Sequence, residues 1–467
     1  MMDWNGIVQA ILSPGPQVVV SALIMILGFI FGMKASRAIL SGLYLGVGFV
    51  GMTMAINALV AAVSPAAKAL ATNTGINLPT VDFGWTGAAA ITWAWPLAFV
   101  FFAVEIGVNV IMLLTKTTDT INADMWNVWG IALTAYMVYS FTGNYVWAFV
   151  AGAIQVAIML KLGDMWRDEI HDMLGYPGVT TTHIEAFTAI IMWPINRLMD
   201  FIPVFNTQWD AKALKKKIGI LSEPVVMGFI IGLILALAGR YSVGNALNLA
   251  VTTGAIMAIF PVMAKFFMDS LTPFGTTMSN FMKKRFKNRD FVIGLDWPIL
   301  GQSTELWVTM VILIPVSIIY AAILPGNTIL PFAGVINYSL GVGGLLLTGG
   351  NLLRMVVLGV IYEPLFLYGA SYFSNVFTDL AKSTKAIQVP AGSQVSWSSI
   401  EAPDLRYLMA TAFQGHWIQI VLLIMLIALF WLVYRSFKKN PIPAQRYKKA
   451  ASKEATATED TTAQAKA

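Results

Sequence analysis

The sequence predicts an all-α polytopic membrane protein of about eleven transmembrane helices, built as two inverted five-helix repeats with re-entrant hairpins. Three observations predict it. Of the 467 residues, 57% are hydrophobic and only 12% charged, with a mean hydropathy of +0.70. Soluble domains carry about 25% charged residues, and a single buried core cannot absorb that difference. The apolar runs recur at bilayer-spanning length. A constant offset of 208 residues also aligns Pro16 with Pro224, Gly46 with Gly254 and Pro65 with Pro273.

Backbone groups in lipid must be satisfied within the spanning structure, which leaves helices or a closed barrel. A barrel strand would alternate apolar and polar residues, whereas Val18 to Met33 and Ile420 to Val433 are apolar on almost every face. A hydropathy window of about 19 residues places helices near 17–33, 39–63, 93–115, 127–142, 145–161, 222–239, 245–268, 305–324, 329–348, 355–373 and 412–434. The transporter unit is then 1–434, with repeats at about 14–200 and 222–400 that form interleaved core and dimerisation domains. Residues 435–467 form a polar tail, basic and then of low complexity.

The net charge of +6 resides in short loops and the tail, a positive-inside pattern rather than a nucleic-acid surface. Lys34, Arg37, Lys161, Arg167, Lys212, Lys215, Lys216, Lys217, the run Lys283-Lys284-Arg285 and the tail's Arg435 and Lys438 all fall on one side. The N-terminus is therefore expected outside and the C-terminus in the cytoplasm of a bacterial inner membrane. Met1 to Gly15 has no basic n-region, so the first helix is expected to act as an uncleaved anchor. Cysteine is absent, which excludes disulfides, thiolate metal sites and a cysteine nucleophile. No GxxxxGK[ST] loop occurs, so the chain is not expected to hydrolyse ATP. No motif asks for a cofactor or a metal.

Each repeat holds five helices, an odd number, so the copies must cross the bilayer in opposite senses. The loop from Ser64 to Asp82 carries only Lys68 and Asp82, whereas the matching segment after Pro273 carries Lys283, Lys284, Arg285, Lys287 and Arg289. Inverted repeats are the architecture of many secondary transporters, with the substrate held near the midplane by broken helices.

The glycine-rich stretch Gly84 to Trp93, followed by Trp95-Pro96, resembles a re-entrant tip. Trp85 and Trp93 suit stacking on the apolar face of a sugar ring, with Thr86 and Thr92 as hydroxyl partners; a tryptophan belt at the interface explains the pair as well. The corresponding stretch Gly294 to Ser303 contributes Asp296, Gln302 and Ser303. Asp296 is an ionisable residue at membrane depth and a good acceptor for polyol hydroxyls; capping of the next helix is the alternative. His183 and Glu185 lie in a polar cluster before Ala186 to Trp193, a stretch too short to span, and suit hydroxyl binding or proton shuttling. Glu105 and Glu363 are secondary candidates that can also pair with an arginine such as Arg354. Asn122, Asp124, Trp126 and Asn127 form a polar cluster where a helix begins.

Gly46-Val47-Gly48-Phe49-Val50-Gly51, Ser64-Pro65-Ala66-Ala67-Lys68-Ala69, Val81-Asp82-Phe83-Gly84-Trp85, Asn122-Ala123-Asp124-Met125-Trp126-Asn127, Lys161-Leu162-Gly163-Asp164, Ile293-Gly294-Leu295-Asp296 and Leu324-Pro325-Gly326-Asn327 occur in this order along the chain. This set resembles the galactitol-type enzyme IIC of the phosphoenolpyruvate-dependent sugar phosphotransferase system. The resemblance implies a homodimer, an inverted-repeat core that binds substrate and moves as an elevator, and phosphorylation of the substrate by a IIB partner supplied through IIA. It departs at two places implied to bind substrate, where this chain has Thr182-His183-Ile184-Glu185 and Gly301-Gln302-Ser303.

The function expected is phosphorylation-coupled uptake of a galactitol-like polyol or monosaccharide, with no phosphoryl chemistry by this chain itself. The alternative is an ion-coupled secondary transporter using Asp296, Glu185 or His183 as its proton or sodium site. A non-transporting membrane anchor would not need the broken polar hairpins.

Overall fold

The computed structural model describes residues 16–439, except 125–127, 175–178, 207–218, 286–290, 296–299, 301–302 and 332–338. The chain is mostly helical, and each apolar run placed from sequence overlaps a helix. Helices α1 (Pro16–Ile30), α2 (Ala35–Thr74), α3 (Gly84–Trp93), α4 (Val100–Leu114), α5 (Val128–Thr142), α6 (Tyr145–Leu174) and α7 (Thr188–Met199) come first. They are followed by α8 (Pro224–Ala238), α9 (Val243–Arg285), α10 (Thr304–Ile323), α11 (Ser339–Thr348), α12 (Leu352–Tyr372), α13 (Ser374–Thr384), α14 (Pro403–Ala412) and α15 (Trp417–Lys439). Among the described residues, α6, α12 and α15 are each long and apolar enough to cross a bilayer alone.

Two helices run further than hydropathy indicates. The expected ends at 63 and 268 extend to Thr74 and Arg285, and Pro65 lies inside α2 instead of ending it. Neighbouring helices supply the packing that lets a membrane helix carry proline. Here α1, α2, α8 and α9 pack as one group. Asn73 at the far end of α2 donates to the Gly239 carbonyl at 2.8 Å. Phe31 meets Phe281, and Tyr44 meets Phe266, so α2 and α9 lie antiparallel. Between the Tyr44 and Asn73 contacts a Cβ on Gly51 would fall 2.1 Å from Met263 Sδ, so the two helices approach closely there.

The stretch Gly84 to Trp93, expected to be too broken for a plain helix, is a continuous helix of ten residues. Its length of about 15 Å is half a bilayer. Gly84 begins it with a φ of +68°, and Asp82 receives the Gly84 amide and both the amide and hydroxyl of Ser398. Asp82 is thereby tied to the backbone turn it stabilises.

The all-α expectation also needs correcting. Among the described residues, six short strands form two parallel three-stranded sheets. In one, β1 (Thr80–Asp82) lies between β5 (Ile329–Leu330) and β6 (Gln394–Ser396). In the other, β4 (Val292–Leu295) lies between β2 (Thr120–Asn122) and β3 (Val179–Thr181). Segments of two to four residues are too short to display an alternating pattern. Non-helical backbone inside a membrane protein is tolerated where other protein covers it, and these strands are largely buried.

Side chains then fix the second sheet. Asp164 accepts from the hydroxyls of Thr118 and Thr120, the Asp119 amide and Lys161 Nζ. The Gly163 carbonyl accepts from Thr180 at 2.7 Å, so one turn of α6 holds both edge strands. At the other end of the core, buried Arg354 donates to Asp200 Oδ1 at 2.7 Å, to the side chains of Asn196 and Asn206, and to the Phe205 carbonyl. Its carboxylate partner is thus Asp200, where the sequence leaves Glu105 and Glu363 as candidate partners.

Within the second sheet the packing is tight at Gly294, where a Cβ would lie 2.3 Å from Thr182 Cγ2 and 2.7 Å from its Oγ1. Thr182 precedes His183, and its hydroxyl is already committed to Asn122 at 2.7 Å. Gly294→Ala is expected to cost about 1–3 kcal/mol by overpacking. A lowered melting temperature of the purified protein checks this, and an unchanged one would mean that the sheet yields.

Candidate functional site

Two chain segments leave the sheets in matching ways and meet. After β3, the chain passes through Thr182 and His183 into a 3-10 turn, Ile184–Phe187, and then α7. After β6 it passes through Trp397 to Ala402 into α14, with Ala402 at a left-handed φ of +42°. These turns bring His183 and Glu185 from the first segment against Glu401 and Arg406 from the second. All four side chains are buried, none more than 3% exposed.

The contacts form a chain. His183 Nδ1 accepts the Glu185 amide at 3.3 Å and lies 3.6 Å from Glu185 Oε2. An Nδ1 that accepts leaves the ring proton on Nε2, which is 3.3 Å from Glu401 Oε1. The other carboxylate oxygen of Glu401 takes Arg406 Nη2 at 2.8 Å. Arg406 Nε donates to the Glu401 carbonyl and Nη1 to the Gly130 carbonyl of α5. The guanidinium fork thus fixes Glu401 in position and fastens α14 to α5. Gly130 leaves room for it, since a Cβ there would stand 3.3 Å from Glu401 Oε2.

Strand β2 completes the surroundings. The Asn122 side-chain amide donates to Glu105, while its oxygen accepts from the Asp124 amide and the Thr182 hydroxyl. The Asp124 carboxylate repels those of both Glu105 and Glu401. The backbone also converges: the Ala123 amide donates to the Gly294 carbonyl at 3.0 Å and the Thr182 amide to the Leu295 carbonyl at 3.4 Å. Both bonds bracket the end of β4, one residue before Asp296.

Of the residues expected from sequence, His183 and Glu185 are brought together here. Asp296 and Gln302 lie outside the described residues, as do Trp126 and Asn127. Ser303 caps α10, accepting the Leu306 amide and donating to Glu305. Trp85 is half-buried in the first turn of α3. The Thr86 hydroxyl donates to the Phe83 carbonyl, and that of Thr92 to Ala88 in its own helix. Trp93 is stacked between Phe99 and Phe102, inside the protein rather than at an interface. Glu363 receives the Ser317 hydroxyl at 2.7 Å.

Glu401 and Arg406 were not singled out from sequence. A signal existed: residues 386–400 carry no charge, and an acid followed five residues later by a base ends that run.

The arrangement offers carboxylate acceptors on either side of an imidazole, in a dry setting, which suits a ligand rich in hydroxyl donors. Ligand atoms of His183, Glu185 and Glu401 also lie within 4.8 Å of one another, close enough for a cation. A cation there would displace the His183 Nε2 proton from Glu401 Oε1 and lie close to the Arg406 guanidinium, so hydroxyl recognition fits the contacts better.

Removing Arg406 would leave Glu401 buried without its counter-charge. Arg406→Met is therefore expected to destabilise the protein by about 3–5 kcal/mol, and Arg406→Lys by less, because a lysine keeps the charge but not the planar fork. Denaturation of the detergent-solubilised variants would rank them; equal stability of Met and wild type would show the pair to be dispensable. Thr92→Val, by contrast, should leave ligand affinity unchanged.

Comparison with known proteins identifies the family. The family described as PTS system sugar-specific permease component matches residues 10–392. The galactitol-specific EIIC components of the PTS from Escherichia coli strain K12 and from Escherichia coli O157:H7 are each 32% identical over 409 residues, covering 85% of this chain and 91% of the relative. The family match takes in α2, α9, the sheet β2–β4–β3, His183 and Glu185. The chain, a multi-pass membrane protein, belongs to the family of PTS sugar-specific permease components, of the galactitol type.

Proposed function

We propose that this chain is the enzyme IIC subunit that carries a galactitol-like polyol or monosaccharide across the bacterial inner membrane, with His183, Glu185, Glu401 and Asp296 around the ligand. The observation that carries this reading is the buried chain His183–Glu401–Arg406, in which a dry set of acceptors is held in fixed geometry at the meeting point of two broken segments. The names of the relatives favour galactitol as the first ligand to test. Phosphoryl transfer belongs to separate IIB and IIA partners, because this chain has neither a cysteine nor a nucleotide loop. The family assignment weighs against the ion-coupled alternative.

Inverted repeats receive support from the element boundaries. Helices α1 and α8 begin at Pro16 and Pro224, and α2 and α9 at Ala35 and Val243, the same offset of 208 residues. Each sheet has its central strand from one half of the chain and its flanking strands from the other. Antiparallel α2 and α9, crossing near Gly51 and Met263, fit a two-fold relation. In this reading α1, α2, α8 and α9 form the dimerisation domain and the remaining elements the mobile core of an elevator. The N-terminus is outside and the C-terminus cytoplasmic.

Two experiments test the proposal. Proteoliposomes should accumulate galactitol phosphate only with IIB, IIA and phosphoenolpyruvate; uptake driven by a pH or sodium gradient alone would support the ion-coupled alternative. In the same preparation Asp296→Ala should weaken galactitol binding by about 1.5–3 kcal/mol, the value of a hydrogen bond to a charged group. For topology, a cysteine at Gly75 should react with an impermeant thiol reagent from outside, and one at Asn288 only from the cytoplasmic side. Reaction of both from one side would remove the inverted repeat.

A further inference from the structure

A phosphotransferase permease handles two species with the same carbon skeleton, the free polyol and its phosphate ester. The charges around His183 treat them differently. Glu185 and Glu401 face the ring from two sides, at 3.6 and 3.3 Å. Asp124 adds its field to that of Glu401. His183 accepts at Nδ1 and so carries no positive charge in this arrangement. Arg406 is the cation of the cluster among the described residues, and three of its five N–H groups are given to the Glu401 carbonyl, the Gly130 carbonyl and the Glu401 carboxylate.

Helix N-termini are the usual alternative for holding a phosphate. Here both turns entering the cluster carry a carboxylate of their own: Glu185 is in the first turn of the 3-10 segment leading into α7, and Asp404 is in the first turn of α14. Among the described residues the cluster is therefore richer in acceptors for hydroxyl donors than in donors for an anion, and its burial removes the solvent that would screen the repulsion.

We propose that Glu185 and Glu401 are specificity-determining residues that admit the uncharged polyol and reject its phosphate ester, so that phosphorylation itself converts a bound ligand into one the site expels. In that step the bond between phosphorus and the carrier atom of the IIB partner breaks, and a phosphorus–oxygen bond forms to one polyol hydroxyl. The hydroxyl proton leaves to solvent, and the ligand passes from neutral to nearly doubly negative. Release toward the cytoplasm and poor rebinding of the product then follow from the same two carboxylates. The inference rests on the polyol-binding reading above.

The test measures binding of galactitol, a galactitol monophosphate and galactonate to the purified full-length protein, wild type and with Glu401→Gln or Glu185→Gln. Galactonate reports the charge without the bulk of a phosphate. Wild type should prefer galactitol to either anion by roughly a hundredfold or more, since one like-charge pair at close range is worth that factor. Each variant should shrink the preference at least about tenfold, and Glu401→Gln the more, because it leaves Arg406 without its counter-charge. If Glu401→Gln fails to fold, Glu185→Gln decides alone. Phosphate ester binding to wild type as tightly as galactitol, or a preference unchanged in the folded variants, would overturn the inference while leaving the site's role in polyol binding intact. Failure of galactitol to bind wild type would instead overturn the underlying reading.

Discussion

Every peptide group that leaves a helix within a bilayer has to find a partner in the protein, because lipid offers none. In this chain the broken segments meet that constraint by pairing with one another. Two parallel three-stranded sheets, of two to four residues per strand, collect the amides and carbonyls of six interruptions. The site depends on those pairings. His183 follows β3, Asp124 follows β2, Glu401 follows β6, and Asp296 is the residue after β4. In the proposed site, His183, Asp124 and Glu401 each lie just beyond a strand whose pairing satisfies its backbone.

The second layer of the design is how the buried charges are held. Asp82 and Asp164 accept several backbone amides and hydroxyls, and they fix turns. Arg354 joins α12 to the end of α7. Glu401 and Arg406 differ because their bond lies beside an imidazole and two further carboxylates, where the same fork that steadies α14 also presents an oxygen to His183. Breaking a buried pair by losing one partner is costly, which is a physical reason for the site to be stiff at Glu401.

Several residue choices follow from closeness more than from chemistry. Gly294 gives Thr182 room against β4, Gly130 makes space for the carboxylate of Glu401, and Gly51 lets α2 and α9 touch. Two family motifs thereby acquire a physical meaning: Lys161-Leu162-Gly163-Asp164 clamps the strand edges, and Ile293-Gly294-Leu295 is the central strand onto which β2 and β3 register.

Hydropathy and charge were sufficient to derive a polytopic helical membrane protein and approximate helix positions, because burial in lipid imposes long apolar runs that are visible in one dimension; the family came from the ordered motifs. His183 and Glu185 could be picked out for the same reason, as ionisable groups in apolar surroundings. The sheets could not, since strands this short carry no period. Nor could the pairing of His183 with Glu401, 218 residues away, or the role of Arg406. The sequence also made Thr86 and Thr92 look available, whereas their hydroxyls bond to carbonyls of their own turn and helix. Which polar side chains face each other and which turn inward was decided only by the tertiary structure, because it depends on where interrupted backbone segments find partners far along the chain.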